Sequence, residues 1–411
     1  MGFDEQSPPP ILLPMIISSN PYHKNRNPLL YSQPKYFANV FTAIVGAGVL
    51  GLPYAFKRTG WLTSFFILAP VAALSYHCMI LLIRTRRKLE TEGVKIASFG
   101  ELGSAACGPL GRAAVDFMIV FSHAGFCVGY LVFIANSLAS LHHHNLVPKA
   151  AYVWACFPFQ LALNSIPTLT HLAPLGVFAE VVELGAMGMV MADDVAAFQH
   201  DRPQVNPFGD ESTLFYGIGV AVYAFEGIGM VLPLESEMAE KQSFEKILAL
   251  SMSFITLTYA AFGLLGYFAF GESTQAIITA NLSKGLTGTL VQLGLCVNLF
   301  FTFPLMMNPA YEVVERRVGG RCCVAARWGL VLGVSLVALM VRNFADFLSL
   351  VGSSFGCALA FVQPAVFHAA VFREELGVVG LAFDGCIVLA GVFFGVCGTW
   401  YALQEILSVK V

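Results

Sequence analysis
The residues in this sequence that could do chemistry are few, and most of them sit where charge is expensive. Glu226 lies deep in an apolar run, directly before Gly227 and close to Gly229. An ionisable group inside a membrane-length apolar segment is costly to place and marks a functional position by default. It reads either as a group that exchanges a proton or grips a substrate ammonium, or as a structural carboxylate bonded to unwound backbone amides. Glu180 and Glu183 are three residues apart, so on a helix they share a face. A proton path and pairing with a neighbouring helix are equal readings for that pair. Ser122, Phe126 and Tyr130 recur every fourth residue and form one helical face, which could wall a pocket and offer the Tyr130 hydroxyl. His77 and His123 fall in apolar runs and read as packing or hydrogen-bonding residues. Asn298 and Thr302 are the groups a sodium site would draw on, but hydroxyls are scarce around them, so protons or no coupling ion are preferred. The His142–His144 triplet reads as a solvated loop.

The elements that must position these residues are membrane helices. Hydrophobic residues make up 57% of the 411 and charged residues 12%, about half the charge of a soluble domain. The apolar residues fall in runs of about 20, the length needed to cross roughly 30 Å of hydrocarbon. Eleven such runs are expected, all helical, because an open backbone cannot be satisfied in lipid. The net charge of -3 offers no basic field for nucleic acid. The ten cysteines show no CxxC pair, so neither a metal site nor a disulfide framework is read. No cofactor is expected. HExxH does not occur, and although Gly352–Gly356 fits the letters of GxSxG, no span carries a paired catalytic constellation, which argues against an enzyme. Residues 1–34, rich in Pro, Ser and Asn, read as a disordered tail, and Pro8–Ile17 lacks the basic leader of a signal peptide.

Two spans carry the same interruption. Gly46, Gly48 and Pro53 break the first, and Gly227, Gly229 and Pro233 break the sixth. Gly is a poor helix former, while Pro removes a donor and clashes with the preceding turn. Both helices are therefore expected to unwind near mid-membrane, where free backbone is tolerated only beside a cavity. The interrupted spans open two successive sets of five, residues 35–192 and 213–373, separated by a loop at 193–212. Residues 374–411 hold the eleventh helix. Five is odd, so the second set is inverted relative to the first. Matched breaks in inverted halves are the best sequence pointer to a transporter's binding site. Half-helix amino ends suit a carboxylate and exposed carbonyls suit an ammonium, and an amino acid has both. The Gly46–Gly51 stretch also satisfies G-x-G-x-x-G, but it lies inside a span and the next acidic residue is Glu90, so a dinucleotide site is rejected.

Charge sets the orientation. With eleven spans, sixteen of the 23 Lys and Arg fall on the side of the amino terminus, which the positive-inside rule makes cytosolic. Asn281-Leu282-Ser283 is a glycosylation sequon on the other side.

The stretches IVGAGVLGLPYAFKRTGW, from Ile44, and YAFEGIGMVLPLESEM, from Tyr223, resemble the amino acid/auxin permease family. Within it they look most like plant vacuolar amino acid transporters and animal proton-assisted amino acid transporters. The resemblance implies a leucine-transporter-like fold of five plus five inverted helices with one extra span. It implies transport of neutral amino acids, coupled to or facilitated with protons, and for the plant group export from the vacuole lumen to the cytosol. A vacuolar membrane is the first expectation and the plasma membrane the second. By matching position, Ile44, Gly46, Ala47, Gly48, Phe225, Glu226 and Gly227 would flank the substrate. The fifth span departs by carrying Glu180 and Glu183 where Asp is more usual. The competing reading is a nutrient receptor of transporter fold that binds amino acids with little flux.

Overall fold
The computed structural model describes residues 28–141, 147–166, 173–210, 212–238, 240–282, 285–318 and 323–408. The signal-peptide reading, the His142–His144 triplet and Ser283 of the sequon lie outside these residues. Among them the chain is helical throughout, with short 3-10 or extended connections.

The first span is a broken pair, α1 (Pro28–Ile44) and α2 (Leu52–Thr59), joined by a 3-10 segment at Ala47–Gly51 and bent by 52°. Then follow α3 (Trp61–Thr91), α4 (Phe99–Leu141), α5 (Lys149–Asn164) and α6 (Ala173–Asp201). The sixth span is the second broken pair, α7 (Thr213–Ala224) and α8 (Ile228–Glu237). After it come α9 (Phe244–Phe270), α10 (Leu286–Arg317) and α11 (Val324–Met340). The tenth span runs α12 (Phe344–Val351), two π-helical turns, then α13 (Gln363–Val371), and α14 (Val378–Ser408) closes the chain. Each of the eleven expected spans thus has a helix or helix pair in place. Among the described residues, seven helices or joined helix pairs are long and apolar enough to cross a membrane, and the bent first pair makes an eighth.

Three boundaries move. Helix α1 begins at Pro28, inside the stretch read as a disordered tail. Helix α6 continues to Asp201, so the first part of the expected 193–212 loop is helical. Asp193 and Asp194 read as loop by charge, yet a helix can run past the hydrocarbon, and Asp194 is buried. Helix α4 starts at Phe99 rather than near Ala113, with a non-helical corner at Cys107 and Gly108 just before Pro109.

Two groups of helices result. The broken pairs pack with α3, α9 and the tenth span, while α10 lies against α4 and α6, and α11 against α5 and α4. The second group is locked by polar contacts at one end. Arg327 is buried, donates to Glu315 at 2.6 Å and to the Ile166 carbonyl at 3.1 Å, and stacks on the Tyr311 ring at 4.9 Å. Tyr311 Oη in turn donates to Asn164 Oδ1 at 2.7 Å. An aligned guanidinium with carboxylate, carbonyl and aromatic partners fixes α5, α10 and α11 as one frame.

Candidate functional site
The two breaks face one another. Helix α1 ends at Ile44, and Gly46 continues in extended backbone before the 3-10 turn. Helix α7 ends at Ala224, and Phe225, Glu226 and Gly227 run non-helically before α8. A Cβ on Gly227 would stand 2.6 Å from Ile44 Cγ1, and one on Gly48 would stand 3.0 Å from both the Ala224 Cα and the Tyr223 ring. Only hydrogen fits at these crossings. Gly46 and Gly229, by contrast, face open space, with nothing within 4 Å of where a Cβ would be.

A residue that sequence reasoning missed joins the breaks. Tyr259 of α9 is fully buried, and its Oη lies 3.1 Å from the Ala224 carbonyl and 3.3 Å from the Ile44 carbonyl. With one proton, the hydroxyl donates to one carbonyl at a time and so spans both helix ends. No motif announces it; the only signal is a hydroxyl in mid-span of the seventh helix.

The polar groups at the breaks divide by function. The first-turn N–H groups of the 3-10 segment and of α8 have no partner within their own helices, and they carry the positive end of the helix dipole. The last carbonyls of α1 and α7 carry the negative end. Glu226 is half-buried, its Oε2 enclosed and without a hydrogen-bond partner among the described residues. The Tyr223 hydroxyl and Ser122 Oγ are likewise buried and unpaired. Buried polar groups are nearly always hydrogen-bonded, so these atoms are candidate polar contacts beside the crossing. Glu226 is the only charged side chain in residues 39–56 and 213–234.

The remaining candidates lie around this centre. Phe126 meets the Tyr223 ring edge-on at 4.8 Å, and Tyr130 is buried one turn further on. Glu183 is within electrostatic reach of the Tyr130 and Tyr259 hydroxyls. Its Oε2 accepts from Asn298 Nδ2 at 3.2 Å, while Thr302 Oγ1 lies 2.9 Å from both oxygens of Asn298. Glu183 therefore pairs α6 with α10, and its Oε1 stays buried and unpaired. Glu180 also has an unpaired buried oxygen, Oε2. His123 Nδ1 contacts Met306 Sδ at 3.3 Å and His77 packs edge-on to Phe383, so both have packing partners. No cluster of three metal-ligating side chains occurs among the described residues.

Each end of the breaks is tied down. At the arginine-rich end, Glu235 of α8 is fully buried between Arg86 (3.2 Å) and Arg87 (3.0 Å) of α3. Arg86 also donates to the Leu232 carbonyl at 2.9 Å, and Tyr36 Oη to the Glu237 carbonyl at 3.2 Å. At the opposite end the 203–210 strap lies over the α2–α3 corner, with Gly209 N donating to the Thr59 carbonyl at 2.8 Å and Trp61 N to the Asn206 carbonyl at 3.1 Å.

Two interrupted helices that cross at their glycines inside an all-helical membrane body, each tied to its neighbours beyond the break, form the arrangement expected of a transporter. The family model described as transmembrane amino acid transporter protein matches residues 31–404, and the chain belongs to that family. Amino acid transporter AVT3C of Arabidopsis thaliana is 58% identical over 408 residues, covering 94% of each chain. Vacuolar amino acid transporter 3 of Schizosaccharomyces pombe is 27% identical over 370 residues, covering 86% of this chain and 55% of that one. In fold, the chain is similar to the inward-facing conformation of Mhp1, with TM-score 0.59, 12% identity, and 92% and 89% of the two chains covered. The protein is a multi-pass amino acid transporter of leucine-transporter-like fold, with five plus five inverted helices and an eleventh.

Proposed function
We propose that the chain carries neutral amino acids, with protons as the coupling or facilitating ion, from a vacuole lumen to the cytosol. The observation that carries this reading is the crossing of the two breaks beside a single carboxylate. The substrate carboxylate goes to the amide ends of the 3-10 segment and α8, and its ammonium to Glu226 and the carbonyl ends of α1 and α7. Ile44, Gly46, Ala47, Gly48, Phe225 and Gly227 form the backbone cradle, with Phe126 and Tyr130 as a wall. No side-chain cation lies in residues 39–56 or 213–234, around the two breaks, to meet an acidic substrate, which favours a substrate whose own charges cancel. Glu226 is the first proton-carrying candidate, and Glu183 with Glu180 the second. The vacuolar assignment draws on the resemblance seen in the sequence and on the yeast relative's name. The excess of Lys and Arg on the amino-terminal side supports a cytosolic amino terminus.

The test is flux of a labelled amino acid panel in proteoliposomes, with and without a pH gradient. Uptake of neutral amino acids that responds to the gradient is expected. Binding without flux across the whole panel would favour the receptor reading instead.

A further inference from the structure
At the arginine-rich end, away from the breaks, the corner in α4 builds a second polar site. Gly108 takes φ 68° and Cys107 leaves helical geometry, so the first turns of α4 fold back beside the start of its long membrane segment. Between this corner and the end of α10 lies a cavity of about 450 Å³, bordered by Ser104, Pro109, Arg112, Asp116, Arg316 and Arg317. Binding cavities for small molecules begin at roughly 300 Å³.

The charges there do not cancel. Asp116 is buried and pairs with Arg316 at 2.6 Å and Arg317 at 3.7 Å. It is the one carboxylate on the lining against three guanidiniums. Arg112 pairs with no carboxylate among the described residues. The neighbouring acids are engaged elsewhere: Glu312 accepts from Asn308 at 2.8 Å, Glu315 from Arg327 at 2.6 Å, and Glu101 from the Ala97 N–H at 2.8 Å. Asp116 thus acts as a post that aims Arg316 and holds the largely exposed Arg317 only at 3.7 Å, so that Arg112 and Arg317 can close on an anion.

The rim says where the anion comes from. Leu110 is 81% exposed, Val318 61% and Phe117 51%, on the same turns as the arginines. These side chains face outward beside a basic cavity at the end of a span, the arrangement that collects anionic lipid headgroups. Guanidiniums grip phosphate oxygens two at a time.

We propose that this corner binds the phosphate-bearing headgroup of an anionic membrane lipid, with Arg112 and Arg317 clamping the phosphate, Arg316 held by Asp116 behind it, and the acyl chains lying along Leu110 and Phe117. The test uses the full chain in neutral detergent. Retention of phosphatidylinositol 4-phosphate and of phosphatidylcholine is measured by native mass spectrometry for three proteins. These are the wild type, R112Q/R317Q, and a charge-matched control, K95Q/K246Q, at exposed lysines of the same end. Both double variants leave the Asp116–Arg316 pair intact. Wild type and control are expected to retain the phosphoinositide alike, and R112Q/R317Q to bind it about ten-fold more weakly. A soluble inositol phosphate that displaces the lipid shows that the headgroup is the recognised part and supports the proposal. Equal loss in both double variants, equal retention of phosphatidylcholine, or occupancy by inorganic phosphate with no lipid retained would each overturn it.

Discussion
Glu226 and Tyr259 do different work at the same crossing. On the proposed reading Glu226 meets a substrate ammonium or carries a proton, so Glu226→Gln keeps the shape and would remove both roles. Transport is expected to fall sharply, or to continue with no response to a pH gradient, at unchanged membrane expression. Wild-type flux with a wild-type pH response would remove Glu226 from the mechanism. Tyr259 acts on the backbone alone, through the Ile44 and Ala224 carbonyls. In Tyr259→Phe those buried carbonyls lose their donor, at a cost of about 1–3 kcal/mol. Because the strain falls on the crossing, substrate affinity is expected to weaken roughly ten-fold for each 1.4 kcal/mol. Binding titration in detergent checks this, and unchanged affinity would reduce Tyr259 to packing. Tyr259 was invisible in the sequence because its partners are main-chain atoms 215 and 35 residues away, which leave no side-chain pattern. The Gly and Pro residues of the breaks were legible because they act on their own backbone.

At the scale of elements, the breaks need both glycine contact and anchored ends. In Gly48→Ala the new methyl meets the Ala224 Cα and the Tyr223 ring at 3.0 Å, so the 3-10 segment and α7 must separate. Overpacking of this kind costs about 1–3 kcal/mol. Lower transport at near-normal expression is expected, whereas Gly46→Ala, which enters open space, is expected to affect substrate fit more than thermal stability. Paired melting curves and uptake assays separate the two. The anchoring of α8 follows a different logic. Glu235 is buried between two arginines, and Glu235→Gln leaves the enclosed Arg86 with only the partly exposed Glu90, at 2.8 Å, which offsets part of the loss. Removing one partner of a buried pair costs about 3–5 kcal/mol. The melting midpoint in detergent is therefore expected to drop clearly, and an unchanged midpoint would mean that the α3–α8 lock adds nothing. Span positions were readable from apolar run length, but this lock was not. Arg86 and Glu235 lie 149 residues apart, and each alone reads as an ordinary charged residue at a helix end.

At the scale of the whole molecule, the inverted halves and the charge distribution make one statement about direction. The structure gathers Arg86, Arg87, Lys88, Glu235, Glu245 and Glu375 at one end, where Lys88 bonds Glu375 and Arg87 bonds Glu245 at 3.1 Å. The other end holds the 203–210 strap, the Arg58–Glu405 pair and the Asn281 turn, whose side chain is already bonded to Gln275 N and the Ser273 carbonyl. An odd number of spans puts the two termini on opposite sides of the membrane, and sixteen of 23 basic residues lie on the amino-terminal side. The positive-inside rule then predicts the cytosolic amino terminus proposed above, with the carboxyl terminus on the other side. A tag at residue 1 should be digested by protease added to intact vacuoles, and a tag at residue 411 should survive until the membrane is opened. Two exposed tags would mean an even number of crossings and would undo the inverted-repeat assignment of the site. Two tags in reversed order would keep the site and reverse the direction of transport proposed for it.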